Sequence, residues 1–352
     1  LYSRITDFRW LLASWKRARC GKRDNVAAAS FELRLDIELI DLYEELRTET
    51  YRPGNYRSFT IHDPKRRKIS AAPFRDRVVH HALCRILIPI YERKFIFDSY
   101  ANRTGKGTHA ALGRCTQFSR RYPYVLQFDI QQFFPSIDHA ILKAILAKTI
   151  ADSQVLRLCG LIIDSGKGIL HDEYTLRLFP GDTLLSAAER ARGLPIGNLT
   201  SQFWANVYLN ELDQFIKHKL RCKGYVRYVD DFLLFAEDKV TLHRWRSEII
   251  RFLETLRLTI HEKRAQPQPI THGIPFLGFI VYPDHRRLKR GKGIVYRRHL
   301  HGLYKRYLHG EIDRNALDAS VRAWVGHAQH GNTWGLRRAL FEPLILNIHP
   351  DR

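Results

Sequence analysis

What this 352-residue chain lacks narrows it first. It contains no methionine, so a native start upstream of Leu1 is expected, and the absence has no other explanation in the sequence. Its five cysteines, Cys20, Cys84, Cys115, Cys159 and Cys222, are odd in number, widely separated and never arranged C-x-x-C. Neither a disulfide framework nor a zinc finger is suggested, and a reducing cytoplasm fits. No apolar run approaches the roughly 20 residues of a membrane span. Three Gly-Lys-Gly triplets, at 105–107, 166–168 and 291–293, lack the spaced Gly and the following Ser or Thr of a P-loop. Acids are scarce: 36 Asp plus Glu stand against 58 Lys plus Arg, a formal charge of +22. Membranes and nucleic acid both attract such a charge, and without a span nucleic acid is the better partner class. The length suits about two compact units whose core needs no disulfide.

The most informative residues present are Tyr228-Val229-Asp230-Asp231, two adjacent carboxylates between apolar runs. Val226, Tyr228 and Val229 lead in and Phe232-Leu233-Leu234-Phe235 lead out, which places the acids where two buried strands turn. A surface turn that happens to carry two acids is the plain alternative. Tight hairpins, however, favour Asn-Gly or Asp-Gly because both central residues take positive φ, so Asp-Asp is a poor choice for stability alone. Upstream, Tyr124-Val125-Leu126-Gln127-Phe128-Asp129-Ile130 alternates, with Leu126, Phe128 and Ile130 on one face and Asp129 on the other. A carboxylate at the end of a buried strand is costly unless a cation meets it. Mg²⁺ is usually held by one or two protein carboxylates plus substrate phosphates, which suits this small set of acids. Two such ions activate a 3′-hydroxyl and stabilise departing pyrophosphate in an in-line displacement. The three acids therefore read as a divalent-metal site for nucleotide transfer.

Residues 1–50 read as a helical lead-in, with Ile37, Ile40, Leu42, Tyr43 and Leu46 as an apolar stripe ended by Arg52-Pro53-Gly54. Residues 55–115 pass from strand to helix and carry Lys65-Arg66-Arg67-Lys68, then Arg75 and Arg77. Those cations are either a solvated face or, interleaved with Ile69, Pro73 and Phe74, a clamp for a triphosphate. Residues 120–283 hold both acid motifs around an irregular insertion at about 164–192. Beyond Pro283 the composition changes: residues 285–310 contain nine Lys or Arg and no acid, a phosphate-binding face. Leu300, Leu303, Tyr304, Tyr307 and Leu308, then Leu317, Val321, Trp324, Val325 and Ala328, recur at helical spacing. They predict two amphipathic helices with a basic outer face, their aromatics in the core. His327 and His330 have no nearby Cys or acid and are not read as metal ligands.

In this order the motifs resemble those of reverse transcriptases across nearly the whole chain. Asp129 followed by Phe133-Phe134 looks like the family's first catalytic motif, and Tyr228-Val229-Asp230-Asp231 like its second. Phe276-Leu277-Gly278-Phe279 resembles the primer-grip hairpin, and Lys263 matches the lysine proposed to protonate pyrophosphate. Where most members carry Gln-Gly-x-x-x-Ser-Pro, this chain has Ile196-Gly197-Asn198-Leu199-Thr200-Ser201-Gln202, which is similar to the enzymes of diversity-generating retroelements. Asp63-Pro64-Lys65, residues 71–77, Phe134-Pro135-Ser136-Ile137-Asp138 and Trp324-Val325-Gly326-His327-Ala328 agree with that subgroup. The insertion departs from it.

The resemblance implies an α+β right-hand polymerase: a helical extension over 1–50, fingers over 51–119, palm over 120–283 and a helical thumb over 284–352. It implies two Mg²⁺ ions, with Mn²⁺ as a substitute, held by Asp129, Asp230, Asp231 and the Ile130 carbonyl. Lys65, Arg67 and Arg75 are candidate triphosphate contacts, Phe134 the sugar gate, and Ile196, Gly197 and Gln202 the contacts to the nascent base pair. Lys263 is the candidate general acid, with an exposed turn lysine as the alternative. Arg297, Arg298, Lys305 and Arg306 are the candidate nucleic-acid contacts. The implied activity is error-prone copying of a template RNA into cDNA from a nucleic-acid primer and dNTPs, mutagenic at template adenines. A small basic helical accessory protein, oligomeric, is the implied partner, and no membrane is involved. A group II intron-like enzyme, a defence or CRISPR-associated one, and a catalytically silent RNA-binding protein on the same scaffold are the rivals. About seventy residues follow the primer-grip motif, whereas a maturase needs a further helical domain beyond the thumb.

Overall fold

The computed structural model describes residues 1–22, 25–62 and 66–346. Asp63, Pro64 and Lys65 lie outside the described residues. Four helices, Tyr2–Ile5, Phe8–Arg19, Val26–Leu33 and Leu35–Arg47, open the chain. Asp7 accepts from Trp10 N at 2.8 Å and Asn25 from Ala27 N at 3.1 Å, satisfying backbone donors that no helical turn can reach. The buried stripe of the fourth helix is Leu39, Leu42 and Leu46, while Ile37 and Ile40 are 48% and 52% exposed. Steps of three and four residues keep one face together, and 37 and 40 fall outside its arc.

Strands β1 (Arg57–Ile61) and β2 (Arg67–Ala71) form an antiparallel hairpin. The helix Phe74–Glu92 follows, packed against the helix Phe8–Arg19. The central sheet has the order β4 (Gly224–Tyr228), β5 (Asp231–Ala236), β3 (Tyr124–Asp129), β6 (Gln268–Pro269), all antiparallel. Both faces are covered. Leu126, Phe128 and Leu234 join a core with Tyr208 and Ile249 from helices Leu199–Gln214 and Lys239–Thr255. Val125, Leu233 and Phe235 join another with Leu112 and Phe118 of the helix Thr108–Arg121. Burial on two sides explains why β5 is continuously apolar rather than alternating.

A smaller sheet orders β7 (Ile274–Phe276), β8 (Phe279–Val281) and β9 (Arg286–Leu288). At its first turn Leu277 and Gly278 have φ of 46° and 88°, the two positive values a type I′ hairpin requires. Helices Arg290–Leu308, Arg314–Ala328 and Trp334–Leu346 follow, the third lying beyond the two expected from spacing. Tyr296, Leu300 and Leu340 form their small core, and Tyr296 stacks on Trp324 with centroids 4.1 Å apart. Leu308, expected in the apolar stripe, is exposed. All five cysteines are unpaired. Among the described residues no helix is long and apolar enough to cross a membrane.

Candidate active site

β3 ends on Asp129 and β5 begins on Asp231, and the two are direct cross-strand partners. Alternation puts both on the sheet face shared by Val125, Leu233 and Phe235. The turn between β4 and β5 is Val229-Asp230, not Asp230-Asp231 as the apolar boundaries suggested. Val229 takes φ of 56°, where a β-branched residue is strained. Beneath it the fully buried Arg227 donates from Nη1 to the Val229 carbonyl at 3.0 Å and to Asn206 Oδ1 at 3.2 Å. Arg227 Nε and Nη2 hold Asp213 at 2.7 and 2.5 Å, and Tyr225 Oη donates to the same carboxylate at 2.7 Å. A buried ion pair is tolerated when its remaining hydrogen-bonding capacity is satisfied. Here one of those bonds also fixes the carbonyl of the strained residue.

All three acids are half-buried. Burial raises the Asp230 carboxyl above its ordinary range and the Asp129 charge raises it further, against the opposing charges of Arg67 and Arg227. Asp129 meets cations of the chain itself: its Oδ2 is 3.6 Å from Arg264 Nη1 and 3.9 Å from His261 Nε2. Ile130 bridges Ile260 through its neighbours, His261 N donating to the Asp129 carbonyl at 3.0 Å and Gln131 N to the Thr259 carbonyl at 2.8 Å. That bridge leaves the Ile130 carbonyl out. Among the described residues no group of three or more His, Cys, Asp or Glu side chains could hold a metal unaided. Two carboxylates, a backbone carbonyl and phosphate oxygens carried by a substrate still make the hard oxygen set that Mg²⁺ takes. The mutual repulsion of Asp129 and Asp230 is what a dication relieves.

Of the cations on β2, Arg67 is near enough to influence Asp230. Arg75 instead forms an ion pair with Glu45 and lies over the Tyr51 ring, which ties it to the N-terminal helices. Phe134 is half-buried, its ring 5.4 Å from that of Phe133. Lys263 is exposed and lines a cleft of about 390 Å³ with Gln131, Arg177 and Arg264. Ile196 is half-buried and Gln202 exposed. Gly197 has φ of 113°, and a Cβ there would come 3.0 Å from Ile69 Cγ2, so glycine suits both the backbone and the close approach. Arg297, Arg298, Lys305 and Arg306 are exposed on the helix Arg290–Leu308, and Arg306 pairs with Glu311 at 3.1 Å.

The insertion reaches back to this site, which its irregular sequence did not reveal. Thr175 N donates to Gln132 Oε1 at 3.0 Å, Gln132 Nε2 to Thr175 Oγ1 at 3.3 Å, and Arg177 to Gln131 Oε1. Its acids face β2 and the residue before it, Asp172 lying 3.5 Å from Lys68 Nζ and Glu173 3.9 Å from Arg66 Nη2. Arg227 was also overlooked, although a charge between Val226 and Tyr228 in an apolar strand signals a buried pair.

A family model described as reverse transcriptase (RNA-dependent DNA polymerase) matches residues 61–281. Protein YkfC of Escherichia coli K12 is 26% identical over 323 residues, covering 78% of this chain and 80% of that protein. The group II intron-encoded protein LtrA of Lactococcus lactis subsp. cremoris is 26% identical over 181 residues, half of this chain but 27% of LtrA. Apo telomerase from Candida tropicalis superposes with a TM-score of 0.48 at 11% identity, covering 68% of this chain and 49% of that one.

Proposed function

Because this chain belongs to the reverse transcriptase family and has its right-hand polymerase fold, we propose that it is an RNA-directed DNA polymerase making error-prone cDNA for a diversity-generating retroelement. The observation that carries the chemistry is the pairing of Asp129 with Asp231 across β3 and β5, with Asp230 in the adjoining turn. In this reading Asp129 and Asp230 hold Mg²⁺, Asp231 supports them and the Ile130 carbonyl adds an oxygen. Bound there, the ions activate the primer 3′-hydroxyl and neutralise departing pyrophosphate. Arg67, with Lys65, orients the triphosphate, while Arg75 holds the fingers to Glu45. The Phe134 ring excludes a 2′-hydroxyl, and Lys263 delivers a proton to pyrophosphate. In this reading 51–119 are the fingers, 120–283 the palm and 284–352 the thumb, whose cations take the template–primer phosphates. The partner is a small basic accessory protein.

The error-prone part of the proposal rests on Ile196 and Gln202. Ile196 offers no polar group to enforce pairing geometry, and Gln202, inside the helix Leu199–Gln214, adds an amide side chain and keeps the N–H that proline would remove, here donated to the Asn198 carbonyl at 3.3 Å. A lost contact of about 1 to 3 kcal/mol lowers selectivity roughly 5- to 150-fold. Sequenced cDNA from primer extension tests this, with Asp230→Asn as the inactive control. Ile196→Gln with Gln202→Pro should lower errors opposite template adenine more than opposite other bases. An active double variant with unchanged adenine errors would remove these residues from the account. The match to LtrA favours a second reading, an intron-associated reverse transcriptase, and faithful copying of adenine by the parent would select it.

A further inference from the structure

We propose that Asn198 is a positioning residue that fastens the palm loop bearing Ile196 to the fingers strand bearing Arg67, and so sets nucleotide selectivity. The proposal rests on the polymerase reading of the site given above. Asn198 stands at the N-cap of the helix Leu199–Gln214, a position where an Asn side chain ordinarily accepts from the first turn. It makes no such cap. Its side chain, 2% exposed, turns to β2 instead. Nδ2 donates to the Ser70 carbonyl at 2.8 Å and to the Pro195 carbonyl at 3.1 Å, and Oδ1 accepts from Ala72 N at 3.1 Å.

One amide therefore joins both sides of a junction between segments far apart in sequence. Two further contacts hold the same junction: Ser70 N donates to the Ile196 carbonyl at 2.8 Å, and Gly197 lies so close to Ile69 that an added Cβ would meet it at 3.0 Å. Arg67, Ile69 and Ala71 share one strand and alternate along it. A shift of that strand against the loop moves the Arg67 cation relative to the acids and to the base-pair surface together. A side chain that forgoes its helix-capping bond to make these contacts is fitted to hold that register.

The variant Asn198→Ser separates the two roles, because serine is a good N-cap but too short to span the junction. Amide hydrogen exchange and steady-state single-nucleotide insertion are measured on the full chain. Three buried hydrogen bonds are lost and one cap is gained, so thermal stability should fall modestly while the chain stays folded. Exchange at Ser70 and Ala72 should quicken, nucleotide KM and misincorporation should rise on the order of tenfold, the scale of one or two hydrogen bonds, and kcat should be largely retained. Asn198→Asp, which keeps an acceptor for Ala72 N, should fall between serine and the parent. Parent-like exchange in the serine variant overturns the proposal, as does faster exchange with unchanged KM and misincorporation, which would make Asn198 a fastener without influence on selectivity. An inactive parent overturns the polymerase reading instead, and the exchange measurement still decides whether the junction depends on Asn198.

Discussion

Phe134 tests the sugar pocket at the scale of one side chain. Its neighbour Phe133 is buried in the core, whereas Phe134 is half-exposed five residues after Asp129, and its carbonyl accepts from Leu194 N at 2.9 Å. Phe134→Ala should raise ribonucleotide relative to deoxyribonucleotide incorporation while dTTP-dependent extension persists. A ring that is only half-buried should cost less on removal than the roughly 3 to 5 kcal/mol of a fully buried Phe. Discrimination equal to the parent, in a folded variant, would reduce Phe134 to a packing residue. The grouping of the acids could be read from the sequence because strand alternation reports which side chains share a face, whereas Phe134, on the short helix Phe133–Ser136, was singled out by resemblance alone. The burial of Arg227 was signalled by its place in an apolar strand, but its bond to the Val229 carbonyl and the bonds of Asn198 to β2 were not, since no local pattern encodes them.

Among the elements, the strands of the central sheet were the most legible, because burial on both faces leaves a continuous apolar run with the acids as interruptions. The stripe of the fourth N-terminal helix was misread by including Ile37 and Ile40, and the insertion's route was hidden because polar loop contacts have no periodicity. A ring contact of the same hidden kind joins the helix Thr108–Arg121 to the C-terminal helices. His109, on the helix Thr108–Arg121, stacks on His330 at 3.6 Å and lies 5.5 Å from His327 near the end of the helix Arg314–Ala328. The charged groups influencing them are all cationic when protonated: His330, His327 and then Arg286 for His109, and His330 and then Lys292 for His327. Burial first, then these neighbouring charges, pushes His109 and His327 below their ordinary value of 6.5. A depressed histidine stabilises the folded contact above the unfolded value, and that contribution is lost as pH falls through the folded one. Template–primer dissociation should therefore quicken below about pH 6, and His109→Phe should flatten the profile. A parent dissociation rate indifferent to acidification would show that the contact does not govern the thumb.

At the scale of the whole molecule, a net charge of +22 must be placed where it helps rather than repels. On the helix Arg290–Leu308 the placement follows from the 100° step per residue. Tyr296, Leu300 and Tyr304 are buried together, while Arg298, Lys305 and Arg306 stand exposed on the other side and Arg297 is exposed beside the buried face. Of these cations Arg306 already pairs with Glu311. A backbone-binding face built this way should act through counterion release, in which each phosphate contact contributes about 0.9 to the slope of log affinity against log salt on a duplex. Converting Arg297, Arg298 and Lys305 to Gln should therefore weaken template–primer binding most at low salt and lower the slope by about 2 to 3. Adding Arg306→Gln should lower it by less than one further contact, because that cation is partly neutralised before nucleic acid arrives. The measurement is a salt titration of affinity for one primer–template, with Mg²⁺ held constant. A slope unchanged by the triple substitution would place the nucleic acid on another face, and an equal further loss from Arg306 would mean that its pair with Glu311 opens on binding.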